Sequence, residues 1–88
     1  MTQTTRSQQR ILEKIIFPES YHNLKEETGL SRGELRDDLT TLMHRNMIEV
    51  FEEDSGTQGP KVRHFDNDHP ENYFYRATKS GLDEIKRT

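Results

Sequence analysis

The stretch that decides the fold is residues 29–50, which read GLSRGELRDDLTTLMHRNMIEV. Ser31 and Glu34 have the spacing of a capping box, in which each side chain satisfies the other residue's free backbone N–H. Three leucines then recur at helical spacing along one side: Leu35, Leu39 and Leu42. Asn46 tolerates the left-handed geometry of a helix exit. The stretch therefore predicts a helix over residues 31–46.

Two helices are predicted before this one. Residues 5–17 carry four apolar side chains on one helical stripe: Ile11, Leu12, Ile15 and Ile16. Pro18 is expected to end that helix, because its ring cannot continue the hydrogen-bond ladder. A second helix over residues 21–28 has Ser20 as its candidate N-cap and Gly29 as its C-terminal stop.

Beyond Asn46 the pattern changes from helical to extended. MIEVFEE, which begins at Met47, alternates as a strand does, and YFYRAT is the predicted returning strand, with Tyr73 and Tyr75 on one packed face. KVRHF between them is a candidate short strand. Thr78 is expected to cap a last short helix, which contains two apolar residues, Leu82 and Ile85.

A long polar loop is predicted over residues 54–72. Residues 54–60 and 66–72 combine Gly, Pro, Asn and Asp with almost no apolar anchors, so they are expected to be the most mobile part of the chain. The predicted core consists of the first helix's stripe together with Leu24, Leu30, Leu35, Leu39, Leu42, Ile48, Phe74 and Leu82.

Length and composition indicate one small domain over residues 1–88, with residues 1–5 expected to be flexible. There is no cysteine, which excludes disulfides, thiolate catalysis and cysteine-based zinc sites. No apolar run approaches membrane-spanning length, and the N-terminus lacks the hydrophobic segment of a signal peptide. The expectation is a cytoplasmic protein without a membrane partner. The net charge of −3 argues against indiscriminate nucleic-acid binding.

LKEETGLSRGELRDDLTTLMHRNMIEV resembles the helix-turn-helix of winged-helix transcription regulators, and YFYRATKSGLDEI is similar to their wing strand running into a final helix. YRATKSGL resembles the end of the wing in MarR-type and PadR-type repressors. The resemblance covers about residues 10–87. It implies an α+β winged helix: a three-helix bundle containing the helix-turn-helix, a two- or three-stranded antiparallel wing and a short C-terminal helix. It also implies a regulator that binds double-stranded DNA sequence-specifically.

The sequence departs from that pattern in the second helix and in the wing. Lys25 stands where family members have a small apolar residue, and Thr28 stands where an aliphatic residue often precedes the turn glycine. Both changes are expected to thin the contact between the second and third helices. The segment between the wing strands is also longer than the common short hairpin.

Helical geometry identifies the candidate DNA-reading residues. With the three leucines inward, the opposite face holds Gly33, Asp37, Thr40, Thr41 and His44, with Arg36 to one side and Arg32 near the cap. The resemblance implies that Arg32, Arg36 and Thr40 read the major groove, while Ser31 and Gly33 lie near phosphates. Lys61 and Arg63 would hold the DNA backbone from the wing.

The acids on this helix leave a second interpretation open. Residues 21–50 contain four Lys or Arg against six acids. Asp37 is either a solvated surface charge or an acceptor for a cytosine amino group, and Asp38 is interpreted as a solvated charge. The alternative function is a winged-helix interaction module that binds a basic protein. A homodimer is compatible with either function.

No catalytic motif or cofactor site is found in the sequence. There is no glycine-rich phosphate loop and no nucleophile elbow, so no enzyme activity is expected. One cluster has metal-ligand chemistry: His64, Asp66, Asp68, His69 and Glu71. Its spacing matches no defined metal site, so a solvated polar loop is the expectation and no metal is predicted.

Overall fold

The computed structural model describes residues 4–52, 62, 65, 66 and 68–86. In chain order, these residues form α1 (Arg6–Lys14), β1 (Glu19–Ser20), α2 (Tyr21–Thr28), α3 (Arg32–His44), β2 (Ile48–Glu52), a short 3-10 helix (Pro70–Asn72), β3 (Tyr73–Ala77) and α4 (Lys79–Lys86). The described part of the chain is thus a small α+β domain with four α-helices and a three-stranded antiparallel sheet.

The helix boundaries follow the capping residues. Ser20 accepts a hydrogen bond from the Asn23 backbone N–H at 3.2 Å, and α2 ends at Gly29, whose φ of 71° is left-handed. Asn46, with a φ of 60°, takes the chain out of α3 as predicted. Thr78 accepts from the Gly81 N–H at 3.2 Å at the start of α4.

The first helix is shorter than its apolar stripe predicts. It ends at Lys14, and the Ile15 carbonyl accepts a hydrogen bond from the Ala77 N–H at 2.8 Å. This bond ties Ile15 to β3 where the helix ends, and Pro18 keeps Phe17 out of helical geometry as the chain extends into β1. Ile16 is consequently 47 % exposed, and its prediction as a core residue is wrong.

In the sheet, β3 is the central strand, with β1 on one side and β2 on the other. The pairing of β2 with β3 runs from Ile48 opposite Ala77 to Glu52 opposite Tyr73. The inward-facing residues Tyr73 and Tyr75 are buried as predicted, whereas Phe74 is only half-buried because it lies on the other face. The two-residue β1 was not predicted, since two residues are too few to show alternation.

The core lies between the sheet and the first three helices. Its fully buried aliphatic residues from the helices are Ile11, Leu12, Leu35, Leu39 and Leu42, with Leu24 nearly so. Ile15, directly after α1, is also fully buried. Leu30 and Leu82 are partly buried and pack against this core. Tyr21 and Val50 are buried core residues that the sequence did not predict. A Cβ on Gly81 would collide with the Met47 carbonyl oxygen, so this glycine allows α4 to pack closely.

Candidate nucleic-acid interface

The N-terminus of α3 has the predicted capping box. Ser31 accepts a hydrogen bond from the Glu34 N–H at 3.2 Å, and Glu34 accepts one from the Ser31 N–H at 3.2 Å. The hydrogen bonds from the Ser31 side chain and backbone lower the pKa of the Glu34 carboxyl. Both side chains therefore have intramolecular roles, and the Glu34 charge is balanced by the helix N-terminus.

The outward face of α3 is polar and accessible. Gly33, Asp37, Thr41 and His44 are exposed, on the side opposite the three buried leucines. Thr40 is half-buried and donates its hydroxyl proton to the Arg36 carbonyl at 2.8 Å. A Cβ on Gly33 would meet nothing within 4 Å, so internal packing does not require a glycine there.

Arg32 lies at one flank of this face, against the segment that precedes β3. Its Nη2 donates to the Asp68 carbonyl at 3.1 Å and to the two Glu71 carboxylate oxygens at 3.2 and 3.4 Å. Its guanidinium carbon also lies 6.0 Å from the centre of the Tyr21 ring. Glu71 and Tyr21 were not predicted as partners of Arg32, because no sequence pattern links residues on separate elements.

Tyr21 forms the base beneath Arg32. Its hydroxyl is buried without a hydrogen-bond partner among the described residues. Burial raises the pKa of this phenol, and the charge of Arg32 opposes that rise. A neutral phenol beside the guanidinium leaves the positive charge of Arg32 to Glu71 and to solvent.

Arg36 and Asp37 form a second, weaker pair on the outward face. The Arg36 Nε lies 3.6 Å from the Asp37 Oδ1, and most of the Asp37 side chain is exposed. A solvent-exposed pair at this distance contributes about 0–1 kcal/mol to stability. Both groups therefore remain accessible to a partner, and their charges largely offset each other locally.

Asp38 has a different environment from its neighbour. Its Oδ2 accepts a hydrogen bond from the Ser7 hydroxyl at 2.7 Å, and its Oδ1 accepts one from the Gln8 amide at 3.3 Å. These bonds join α3 to α1. The interpretation of Asp38 as a solvated charge is therefore wrong, because its partners lie about thirty residues away in sequence and form no local pattern.

The segment before β3 is anchored, in contrast to the prediction that residues 66–72 lack apolar anchors. Pro70 is fully buried, and its carbonyl accepts a hydrogen bond from the Tyr75 hydroxyl at 2.5 Å. The Tyr73 hydroxyl accepts one from the Asp66 N–H at 3.0 Å, and the centres of the Phe65 and Tyr73 rings are 5.1 Å apart. Aromatic packing under the loop thus replaces the missing aliphatic anchors.

Three members of the candidate metal cluster form a hydrogen-bonded turn: Asp66, Asp68 and His69. His69 Nδ1 lies 3.0 Å from the Asp66 Oδ2; this contact lowers the pKa of Asp66 and raises the pKa of His69. Among the described residues, no group of three or more His, Cys, Asp or Glu side chains is arranged to hold a metal ion. His64, the fifth member of the cluster, lies outside the described residues.

The predicted wing includes two expected DNA contacts, Lys61 and Arg63, and the first part of the long loop. Lys61, Arg63 and residues 54–60 lie outside the described residues. Val62 is described, and its N–H donates to the Val50 carbonyl at 2.8 Å. This bond places Val62 beside β2.

Thr28, one of the departures from the expected pattern, is accommodated at the turn between α2 and α3. Its side chain is buried, and its hydroxyl donates to the Leu24 carbonyl at 2.8 Å. Its own carbonyl accepts a hydrogen bond from Arg10 at 3.3 Å. The hydroxyl is thus satisfied internally, while Lys25 remains exposed.

Comparisons of the chain with protein-family models, with curated proteins and with solved structures return no match. No helix in the described ranges has both the length and the apolar character needed to cross a membrane.

Proposed function

We propose that the domain is a winged helix that binds double-stranded DNA sequence-specifically, as a transcription regulator. The observation that carries this proposal is the packing of α3. One side of this helix is fixed in the core by Leu35, Leu39 and Leu42, and the opposite side is polar and accessible. A helix presented in this way suits the major groove, which is wide enough to admit an α-helix.

The topology supports the same proposal. The short turn over residues 29–31 joins α2 to α3, and the central β3 lies between β1 and β2. This order of helices and strands is compatible with a winged helix. In the proposed complex, Arg32, Arg36 and Thr40 face base edges, with Ser31 and Gly33 near phosphates. Lys61 and Arg63 contact the DNA backbone in this proposal and add sequence-independent affinity.

The second candidate function is an interaction module for a basic protein. It is favoured by the exposed acids of α2 and α3, among them Glu26, Glu27 and Asp37. One of these acids already has a cationic neighbour, because the Glu27 Oε2 lies 3.6 Å from the Lys14 Nζ. The DNA-binding proposal is preferred because the turn between α2 and α3 and the join of β3 to α4 resemble those of winged-helix regulators that bind DNA.

The experiment that tests the proposal is duplex binding across a salt series, with a randomised duplex pool used to find a preferred site. Arg36→Ala is expected to weaken the preferred site by about 1–3 kcal/mol and to relax its sequence preference, as the loss of a base contact does. Lys61→Ala should weaken all sequences alike and reduce the salt dependence by about one phosphate contact.

The matched control is Lys25→Ala, which removes an exposed cation from α2 rather than from α3 or the wing. Lys25→Ala should leave the preferred sequence unchanged and should weaken binding to it less than Arg36→Ala does. Absence of duplex binding at low salt by the folded protein would contradict the DNA proposal. Binding to a basic protein or peptide under the same conditions would then support the second candidate.

A further inference from the structure

The contacts of Arg32 leave part of its guanidinium group available. All three of its hydrogen bonds to Asp68 and Glu71 use the same nitrogen, Nη2. Nε and Nη1 take no part in these bonds. Because the guanidinium is planar, fixing one nitrogen restricts the direction in which the other two point.

The acceptors that hold Arg32 are themselves held in place. Pro70, next to Glu71 in sequence, is fully buried, and its carbonyl is bonded to the Tyr75 hydroxyl. On the other side, the Asp68 N–H donates to the Asp66 Oδ1 at 3.1 Å. Glu71 is therefore presented to Arg32 from an anchored turn rather than from a freely moving loop.

We propose that Glu71 is a positioning residue for DNA recognition: together with the Asp68 carbonyl, it fixes the Arg32 guanidinium so that its remaining donors read a base edge. This inference rests on the proposed function. An arginine that is already oriented loses less side-chain freedom when it binds, and it tolerates fewer alternative contacts. Glu71 thereby increases discrimination between sequences.

Glu71 has a second effect on DNA binding, which is opposite in sign. Its carboxylate is 42 % exposed and adds negative charge beside the proposed interface, so it repels phosphates on every duplex. Positioning favours the preferred site only, whereas repulsion lowers affinity for all sites. The ratio of specific to non-specific affinity therefore separates positioning from repulsion.

The experiment measures that ratio, with the preferred duplex found by selection from a randomised pool and a scrambled duplex of the same length. Glu71→Gln should lower the ratio, and Glu71→Ala should lower it by about tenfold, which is within the range for one base contact. Gln is expected to have the smaller effect, because it retains an acceptor but loses the charge-assisted bond. Affinity for the scrambled duplex should rise in both variants.

Two comparisons establish that the effect acts through Arg32. Arg32→Ala should lower the ratio by a similar factor, and adding it to Glu71→Gln should give much less than the product of the two single effects. Glu13→Gln removes an exposed carboxylate from α1, rather than from the turn that holds Arg32, and should leave the ratio unchanged.

Three results would overturn the inference. If Glu71→Gln and Glu71→Ala tighten binding to both duplexes equally, Glu71 acts only as a repulsive charge. If the ratio rises in these variants, Glu71 competes with DNA for Arg32 instead of orienting it. If the folded wild-type protein binds no duplex, the proposed function fails and the inference fails with it. Circular dichroism and thermal unfolding of each variant confirm that the protein compared is folded.

Discussion

The two neighbouring acids Asp37 and Asp38 lie on different sides of α3 and have different partners. Asp38 is half-buried and bonded to Ser7 and Gln8 of α1. Asp37 is exposed, and its ion-pair contact is with the adjacent Arg36 at 3.6 Å. One acid therefore joins two helices of the domain, while the other lies on the outward face that we propose binds DNA.

This difference shows why counting charges along a helix misjudges its surface. Of the three acids in α3, Glu34 caps the helix and Asp38 binds α1, which leaves Asp37 on the outward face. Of the negative charges in α3 that could repel DNA, the one on the outward face is therefore that of Asp37, and Arg36 lies beside it. The following predictions test this separation between the inner and outer sides of α3.

The largest expected effect is on the inner side. Leu39 is fully buried, so Leu39→Ala should lower the free energy of unfolding by about 2–5 kcal/mol through lost burial and a residual cavity. Thr41→Ala, on the exposed side, should change it by no more than about 0.5 kcal/mol. Urea denaturation measures both. Equal losses for the two variants would contradict the assignment of the faces.

A smaller difference is expected between the two acids. Asp38→Asn replaces one of the two acceptor oxygens with an NH2 group, which cannot accept a hydrogen bond. It should reduce stability by about 1 kcal/mol, a typical net value for a lost hydrogen bond. Asp37→Asn should leave stability within about 0.5 kcal/mol of wild type. The same denaturation assay checks this. The structure would be contradicted if Asp37→Asn were the more damaging substitution.

The same Asp37→Asn variant should act on DNA binding instead. If Asp37 only repels phosphates, binding to every duplex should tighten by about two- to threefold at low salt, as about 0.6 kcal/mol of Coulomb energy in water at ~7 Å implies. If it accepts a hydrogen bond from cytosine, the preference for that base should disappear. Duplex binding across a salt series distinguishes the two, and Asp83→Asn on α4 is the charge-matched control.

The smallest effect concerns the contact between His69 and Asp66 in the turn beside the outer side of α3. The bond to His69 lowers the pKa of Asp66, so this contribution to stability is present above the unfolded carboxyl pKa and is lost as pH falls through the folded value. Asp66 raises the pKa of His69, so the histidine's contribution is present below its unfolded pKa and is lost as pH rises through the folded value.

The stabilisation should therefore be greatest between about pH 4 and pH 6.5, the ordinary pKa values of the two groups. The difference in thermal unfolding midpoint between wild type and His69→Gln should peak in that window and shrink on either side. A difference that stays constant across pH would show that the pair does not form.

The elements predicted from local patterns match the structure closely where a capping residue marks the boundary. α2 has the predicted bounds, and α3 begins after the predicted cap at Ser31. Capping is a short-range interaction between a side chain and the backbone two or three residues on, so the sequence alone carries it. The helical face with Gly33 and Asp37 outward was predictable for the same reason, since it depends on periodicity alone.

The prediction of α1 was less accurate because its end depends on the sheet. The apolar stripe continues to Ile16, but the helix ends at Lys14, where the chain turns to bond with Ala77. Similarly, β1 has only two residues, and its existence depends on pairing with β3. Periodicity shows which residues are apolar. It does not show which strand lies near enough to form hydrogen bonds with the backbone and end the helix.

The sequence by itself determined the order of the main elements, the capped α3 and the residues on its two sides, because these depend on neighbours within a few positions. Only the tertiary structure decided which charges are available to a partner. Glu71 meets Arg32 and Asp38 meets Ser7 across 39 and 31 positions of sequence. Contacts at such separations are set by how whole elements pack together, and packing leaves no periodic pattern in the chain.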